Sequence, residues 1–193
     1  ATAAAQSGYR INEHSMMDIT IQSILGAYEE INQQTPLAPL RWSLEHVLTI
    51  SEESIQRAKD LGLTLAVHSV AMNMPPFLQP PIRKIQDSGI VWGLGTDASI
   101  VAAYQPFITL GWVVSGQSIN GNTIIEEPVT REEALIAHTR SNAYLLHKDD
   151  DLGTLEVGKF ADLVVLDKDY MTVPVEEIFY IEPQMTMVGG RIV

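Results

Sequence analysis

The 193-residue chain is 46% hydrophobic and 19% charged, the balance of a chain that folds around a core and not of a disordered one. Its formal net charge of −12 argues against nucleic acid or an anionic membrane as partner, since both call for basic patches. The absence of cysteine removes disulfides, thiolate metal sites and a cysteine nucleophile, and it fits a reducing, cytoplasmic setting. No apolar run has the length of a bilayer span, and ATAAAQSGYR (1–10) lacks the basic-then-apolar layout of a secretory signal.

Four short apolar segments read as strands, each leading toward a helix signal. YRINE (9–13) precedes DITIQSILGAYEEI (18–31), where Ile21, Ile24, Leu25, Tyr28 and Ile31 share one helical face and Asp18 is placed as its N-cap. LRWSLE (40–45) precedes Thr49 and Glu52 at capping-box spacing, then a short helix through Ile55 and Ala58 that ends near Gly62. LTLAV (63–67) precedes IRKIQD (82–87), a helix stopped by Gly89. IVWGLG (90–95) precedes a long loop or helix containing Pro106 and Trp112. Thr130 and Glu133, again at capping-box spacing, then open REEALIAHTRSNAYLL (131–146).

Strand alternating with helix implies parallel pairing, because parallel neighbours need a crossover. Four such units make an open sheet or half of a closed barrel. Residues 153–193 differ: ADLVVLD (161–167) reads as a strand, and VGGRIV (188–193) as a hairpin arm on a Gly-Gly turn. The charged run KDDD (148–151) marks a boundary near residue 150. About forty strand-rich residues are too few to fold alone, so this tail must pack on something else.

In parallel barrels, chemistry gathers at the C-terminal strand ends. His14, His46, His68 and Asp97 stand there, each about one strand–helix unit from the last. Neutral imidazoles with a carboxylate suit Zn²⁺, Fe²⁺ or Mn²⁺. Each residue also has a plainer reading. A single histidine after a strand commonly serves as a hydrogen-bonded loop residue, and Asp97 could cap a helix beginning near Ala98. Glu45 reads as structural support beside His46, while His138 and His147 read as surface or packing residues. Met16, Met17, Met72 and Met74 could line a pocket or fill core and loops, and Tyr104, Phe107 and Trp112 could line a pocket or pack below it. The chain has no glycine-rich phosphate loop and no serine nucleophile elbow.

The run GTLEVGKFADLVVLDKDY (153–170), ending in VGGRIV, resembles the C-terminal signature of the amidohydrolase superfamily, and TREEALIAHTRSNAYLL (130–146) resembles its last barrel helix. INEHSMMD (11–18), RWSLEH (41–46) and GLGTDAS (93–99) resemble three of its ligand motifs, most closely those of the metal-dependent hydrolases related to N-acyl amino acid deacylases. The resemblance implies an α/β fold: the second half of a TIM-like (β/α)₈ barrel over residues 1–150, then strands of a small β-sandwich over 151–193. It implies hydrolysis of an amide, cyclic amide or amidine C–N bond in a small-molecule substrate. A divalent metal, zinc, in one or two copies would be held by His14, His46 and Asp97. Asp97 would also take the proton of the attacking water. His68 stands where this branch often carries Gln, which implies a substrate contact. Met17 and Thr96 are mild departures, at positions where the family carries Gly and Ser. The superfamily's H-x-H motif is absent from these residues. The expectation is therefore a C-terminal half that is inactive alone and that self-associates or pairs with a missing N-terminal half; the alternative is a catalytically inert structural module.

Overall fold

The computed structural model of the chain describes residues 1–98 and 102–193. Ser99 of the GLGTDAS motif, and any helix continuing beyond Ala98, lie outside the described residues. The elements in chain order are α1 (Thr2–Gln6), β1 (Asn12–His14), α2 (Asp18–Asn32), β2 (Ser43–Glu45), α3 (Glu52–Asp60), β3 (Thr64–His68), α4 (Ile82–Ser88), β4 (Trp92–Gly95), α5 (Pro106–Ser115), α6 (Arg131–His138), α7 (Arg140–Leu145), β5 (Leu163–Leu166), β6 (Pro183–Val188) and β7 (Arg191–Ile192). Strands β1 to β4 form one parallel sheet in sequential order. This α/β arrangement is consistent with part of a (β/α) barrel. Among the described residues no helix is long and apolar enough to cross a membrane.

The register divides the sheet into two chemically different faces. Glu13, Leu44, Leu65 and Trp92 form one row across all four strands, and Val67 pairs with Leu94. Apart from Glu13, these residues are buried in the core. Each large side chain so buried contributes roughly 1.5–3 kcal/mol. Glu13 is accommodated in this row because its carboxylate accepts a 3.3 Å hydrogen bond from the Tyr28 hydroxyl on α2. The alternate rows hold His14, Glu45, Ala66 and Gly93, then Asn12, Ser43 and Thr64, then His68 and Gly95. Side chains alternate between faces along a strand, so these polar and small residues share the opposite face.

The helices form where the periodicity placed them, but two caps differ. Ile21, Leu25, Tyr28 and Ile31 of α2 are buried as expected. Asp18 is not its N-cap: Met17 holds that position, and the Asp18 carboxylate instead accepts from the Ser51 N–H (2.9 Å) and hydroxyl (3.2 Å). Thr49 does not cap α3; Ser51 does, accepting from the Ser54 N–H at 3.2 Å. The reason is tertiary. Leu48 and Thr49 donate their N–H groups to the Met16 carbonyl, and the Thr49 hydroxyl accepts from the Asp18 N–H at 3.1 Å. The β2–α3 loop is thereby pinned to the β1–α2 loop, and the helix starts two residues later. α4 ends at Gly89, whose φ of 72° places it in the left-handed region.

The capping box of α6 forms as expected, with Thr130 and Glu133 each bonding the other's backbone N–H. The long helix expected beyond it is broken at Thr139 into α6 and α7. The break lets α7 tuck against β4, where the Asn142 amide donates to the carbonyls of Leu94 (2.9 Å) and His138 (3.2 Å). Gly93 permits this approach, since a Cβ there would collide with the Asn142 side-chain oxygen and lie 3.0 Å from Leu145. The short helix α1 has no counterpart in the sequence expectations; it packs through Ala5.

The tail forms a three-stranded antiparallel sheet, β5-β6-β7, with the β6–β7 turn at Gly189 and Gly190, both at positive φ. Before it, a 3₁₀ turn over Val175–Tyr180 packs on α5, where the Phe179 ring lies within 2.9 Å of a Cβ built on Gly111. Ile178, Ile181 and Tyr170 join the core, and the Arg131 guanidinium donates to the carbonyls of Tyr170 and Val173.

Gly93→Ala is expected to cost about 1–3 kcal/mol in urea unfolding through overpacking against Asn142; an unchanged midpoint would show that α7 does not hold this position. The Arg83 guanidinium first, then the Thr130 N–H, holds the Glu133 carboxyl down to about 2. A depressed carboxyl contributes stability above its unfolded value near 4.3 and loses it as pH falls toward 2. Glu133→Gln should therefore flatten the fall in thermal midpoint between about pH 5 and pH 2, and an unaltered profile would remove Glu133 from the acid transition.

Candidate metal centre

All four titratable residues singled out in the sequence stand at the C-terminal ends of the parallel strands. His14 is the last residue of β1 and His68 the last of β3, while His46 follows β2 directly and Asp97 lies two residues beyond Gly95, the last of β4. His46 and Asp97 both have left-handed backbone, at φ 66° and 52°. For residues other than glycine this geometry costs of order 1–3 kcal/mol and persists where the surroundings fix it, commonly at functional sites. The surroundings here include the sheet itself. Ser15 donates its N–H to the Glu45 carbonyl at 2.9 Å, and Val47 donates to Ala66 at 3.2 Å, so the chain on either side of His46 is held by neighbouring strands.

The four side chains form a continuous array. The His14 and His46 rings are 4.7 Å apart between centroids, and those of His46 and His68 are 4.6 Å apart. The Asp97 Oδ2 atom lies 3.7 Å from His46 Nδ1 and 3.6 Å from His68 Nδ1. Both separations are too long for a hydrogen bond. They lie at or just above the roughly 3.3–3.6 Å between two ligand atoms on one tetrahedral ion with bonds of about 2.0–2.2 Å. His46, His68 and Asp97 each offer a ligand atom within 4.8 Å of the other two. His14 joins the array through the His46 ring and is not a member of that three-residue group.

His68 supplies the clearest test of fit. It is buried, and neither ring nitrogen has a hydrogen-bond partner. Burial first, and the charge of His46 second, lower its imidazole to about 4 against a weaker opposing pull from Asp97. The ring is thus neutral near pH 7 with an unused lone pair, beside a second imidazole and a carboxylate. That donor set fits a divalent ion of the zinc type.

The array opens onto a cavity of about 300 Å³. Arg10, Asn12, Glu45 and Asn142 line its wall together with His46, His68 and Asp97. Arg10, Asn12 and Asn142 were not singled out by the sequence, although Asn12 lies two residues before His14 on the same face. Glu45 faces the cavity as well. Burial lowers the Arg10 guanidinium, and Glu45 partly counters it. The aromatic candidates do not reach this cavity: Phe107 and Trp112 are buried in the core, and Tyr104 is exposed. His138 has a buried Nε2 without a partner, and His147 sits at the surface with a ring nitrogen 3.3 Å from the Leu40 carbonyl.

A profile of the amidohydrolase family matches residues 1–193. The chain is 27% identical over 204 residues to an N-substituted formamide deformylase from Arthrobacter pascens, covering 98% of this chain and 37% of that protein. It is 32% identical over 130 residues to a probable imidazolonepropionase from Nematostella vectensis, covering 66% of this chain and 28% of that one. The chain thus spans about a third of the length of these relatives. Among solved structures, the triazine hydrolase from Arthobacter aurescens superposes with a TM-score of 0.66 at 23% identity, over 98% of this chain and 44% of that one. A metal-dependent hydrolase from Pyrococcus furiosus superposes with a TM-score of 0.66 at 22% identity, over 82% and 33%.

Proposed function

The chain belongs to the amidohydrolase family, and from that premise we propose that it forms the C-terminal half of a barrel enzyme hydrolysing a C–N bond in a small molecule. One observation carries the reading. His46, His68 and Asp97 converge at three strand ends on one cavity, in a chain that matches the family profile from end to end. The names of the relatives supply the substrate class, an amide or cyclic amide: one is a deformylase of N-substituted formamides and one an imidazolonepropionase.

His14, His46 and Asp97 would hold a divalent ion, zinc, as one or two ions in the complete site. When bound, such an ion brings the pKa of water toward 7 and polarises the carbon to be attacked. Asp97 is the proton carrier. Its carboxylate is half exposed to the cavity and is not engaged by either histidine at hydrogen-bond distance. It takes a proton from the attacking water as the new C–O bond forms. It returns that proton to the leaving nitrogen as the C–N bond breaks, so the released amine is neutral. Arg10 and Asn12 offer N–H donors to the polar end of a substrate lying in the cavity.

The same reading places the barrel half in residues 1–150 and assigns the β5-β6-β7 sheet, within 151–193, to a small β-sandwich. Val164, Val165, Val188 and Ile192 of that sheet are exposed, and exposed apolar strands invite pairing. The partner is the N-terminal half of the barrel or a second copy of the chain, and the 193 residues alone are inactive. We place the protein in the cytoplasm on its cysteine-free composition.

The test is a hydrolysis assay on the product of the complete reading frame that contains these residues, supplied with Zn²⁺ and a panel of N-formyl and cyclic amides. Asp97→Asn should lower kcat/KM by about 10²–10⁴ while Zn²⁺-loaded protein remains folded. Undiminished turnover in Asp97→Asn, or no hydrolysis of any C–N substrate, would contradict the reading.

A further inference from the structure

We infer that Arg10 sets the substrate preference of this cavity: it selects amides that carry a carboxylate on a short tail away from the scissile C–N bond. The inference rests on the hydrolase reading of the cavity and adds to it the charge of the substrate.

Four other arginines of this chain have fixed partners. Arg41 pairs with Asp149 at 2.6 Å, Arg57 with Glu29 at 2.7 Å and Arg83 with Glu133 at 2.8 Å, and Arg131 donates to the carbonyls of Tyr170 and Val173. Arg10 differs from these four. It is partly buried, its Nε has no hydrogen-bond partner, and Glu45 acts on it only as a nearby charge, without a hydrogen bond. A guanidinium carries five N–H donors in a planar fork and stays charged at any working pH. Leaving the donors of a charged group unmet inside a fold costs more than leaving those of a neutral one. A purely structural arginine would sit on a carboxylate or on carbonyls, as those four do. The carboxylates of the cavity do not occupy the fork, since Asp97 turns toward His46 and His68. On a chain with a formal net charge of −12, an anionic substrate needs such a local cation to be held.

The sheet aims the donors along the path of a substrate. The Ile11 carbonyl accepts from the Ser43 N–H at 3.0 Å, so the extended course of the chain begins before Asn12, and Arg10, Asn12 and His14 share one face. From Arg10 to His14 the backbone rises about 13 Å, roughly half of which an arginine side chain covers. Glu45, in register with His14, is the charge that acts most on Arg10, which puts the guanidinium within electrostatic reach of the strand ends. Arg10 and Asn12 line the same cavity of about 300 Å³ as His46, His68 and Asp97. A small amide with its C–N bond at the strand ends therefore lays a tail of a few bonds beside the free fork. A carboxylate meets such a fork with two parallel N–H···O bonds, each about twice as strong as a neutral one.

The test uses the product of the complete reading frame, loaded with Zn²⁺, and two isosteric probes. One is 4-formamidobutanoate, which ends in a carboxylate; the other is N-butylformamide, which ends in a methyl group. The native protein should favour the carboxylate probe by at least about tenfold in kcat/KM. Arg10→Gln should lower that ratio by about 10–100-fold, through KM more than kcat. Arg10→Lys keeps the charge without the fork and should retain part of the preference. Circular dichroism checks folding, and a ratio taken within one protein cancels any loss of active enzyme. A native ratio near or below one would overturn the inference and leave the hydrolase reading standing. So would a ratio that Arg10→Gln leaves unchanged while both rates fall together, the mark of a structural arginine. Where neither probe is hydrolysed, calorimetric binding of 4-formamidobutanoate decides the inference, while the wider panel of amides decides the hydrolase reading. Binding lost in Arg10→Gln upholds it; no binding, or binding that Arg10→Gln leaves intact, overturns it.

Discussion

The two-residue period of the parallel strands governs everything else in this molecule. Because successive side chains point to opposite faces, Leu44, Leu65 and Trp92 fall together in the buried core, while Asn12, Glu45, Ala66 and His68 line the cavity. A slip of one residue in any strand would exchange the two sets for that strand. Glu45 would then be driven among apolar helix faces, at the desolvation cost of an unpaired carboxylate. The apolar rows therefore specify the register, and the register sets the heights at which His14, His46, His68 and Asp97 leave the sheet. Packing on one side of the sheet decides the chemistry on the other.

The cost of the site is concentrated where the strands end. His46 and Asp97 each hold a backbone geometry unfavourable for a residue with a Cβ, and His68 keeps two buried polar atoms without partners. Each of these works against stability by an amount comparable to the burial of one large apolar side chain. The compensation lies elsewhere: in the fully buried Trp42, Leu44, Leu65 and Leu94, in the paired Arg83 and Glu133, and in the Asp18 carboxylate that joins the starts of α2 and α3. At this cavity two strained backbone positions, His46 and Asp97, meet a buried imidazole whose ring nitrogens have no partner, which suits a binding site for a small, strongly held ligand.

Most of the scaffold was legible in the sequence because its signals are local. The short apolar runs marked the four strands to within a few residues. The capping box at Thr130 and Glu133 formed as spaced because both partners belong to one helix. The misreadings came where a side chain served a distant element. Thr49 gave its hydroxyl to the Asp18 backbone in place of its own helix, and Asn142 reached back to Leu94, breaking a helix that looked continuous. The candidate site was legible in its positions but not in its ranking. Strand-end spacing found His14, His46, His68 and Asp97 together. The burial that sets His68 apart from the exposed His14 is a property of the folded sheet, and no spacing along the chain encodes it.

The central claim is that a divalent ion belongs at the C-terminal ends of the parallel strands, held by His14, His46 and Asp97. Diffraction from crystals of the chain grown with Zn²⁺, collected on both sides of the zinc absorption edge, tests it most directly. The account predicts a single strong anomalous peak within bonding distance of all three side chains, about 2.0–2.2 Å from each ligand atom. A peak remote from His46 and Asp97, or zinc only at the protein surface, would contradict it.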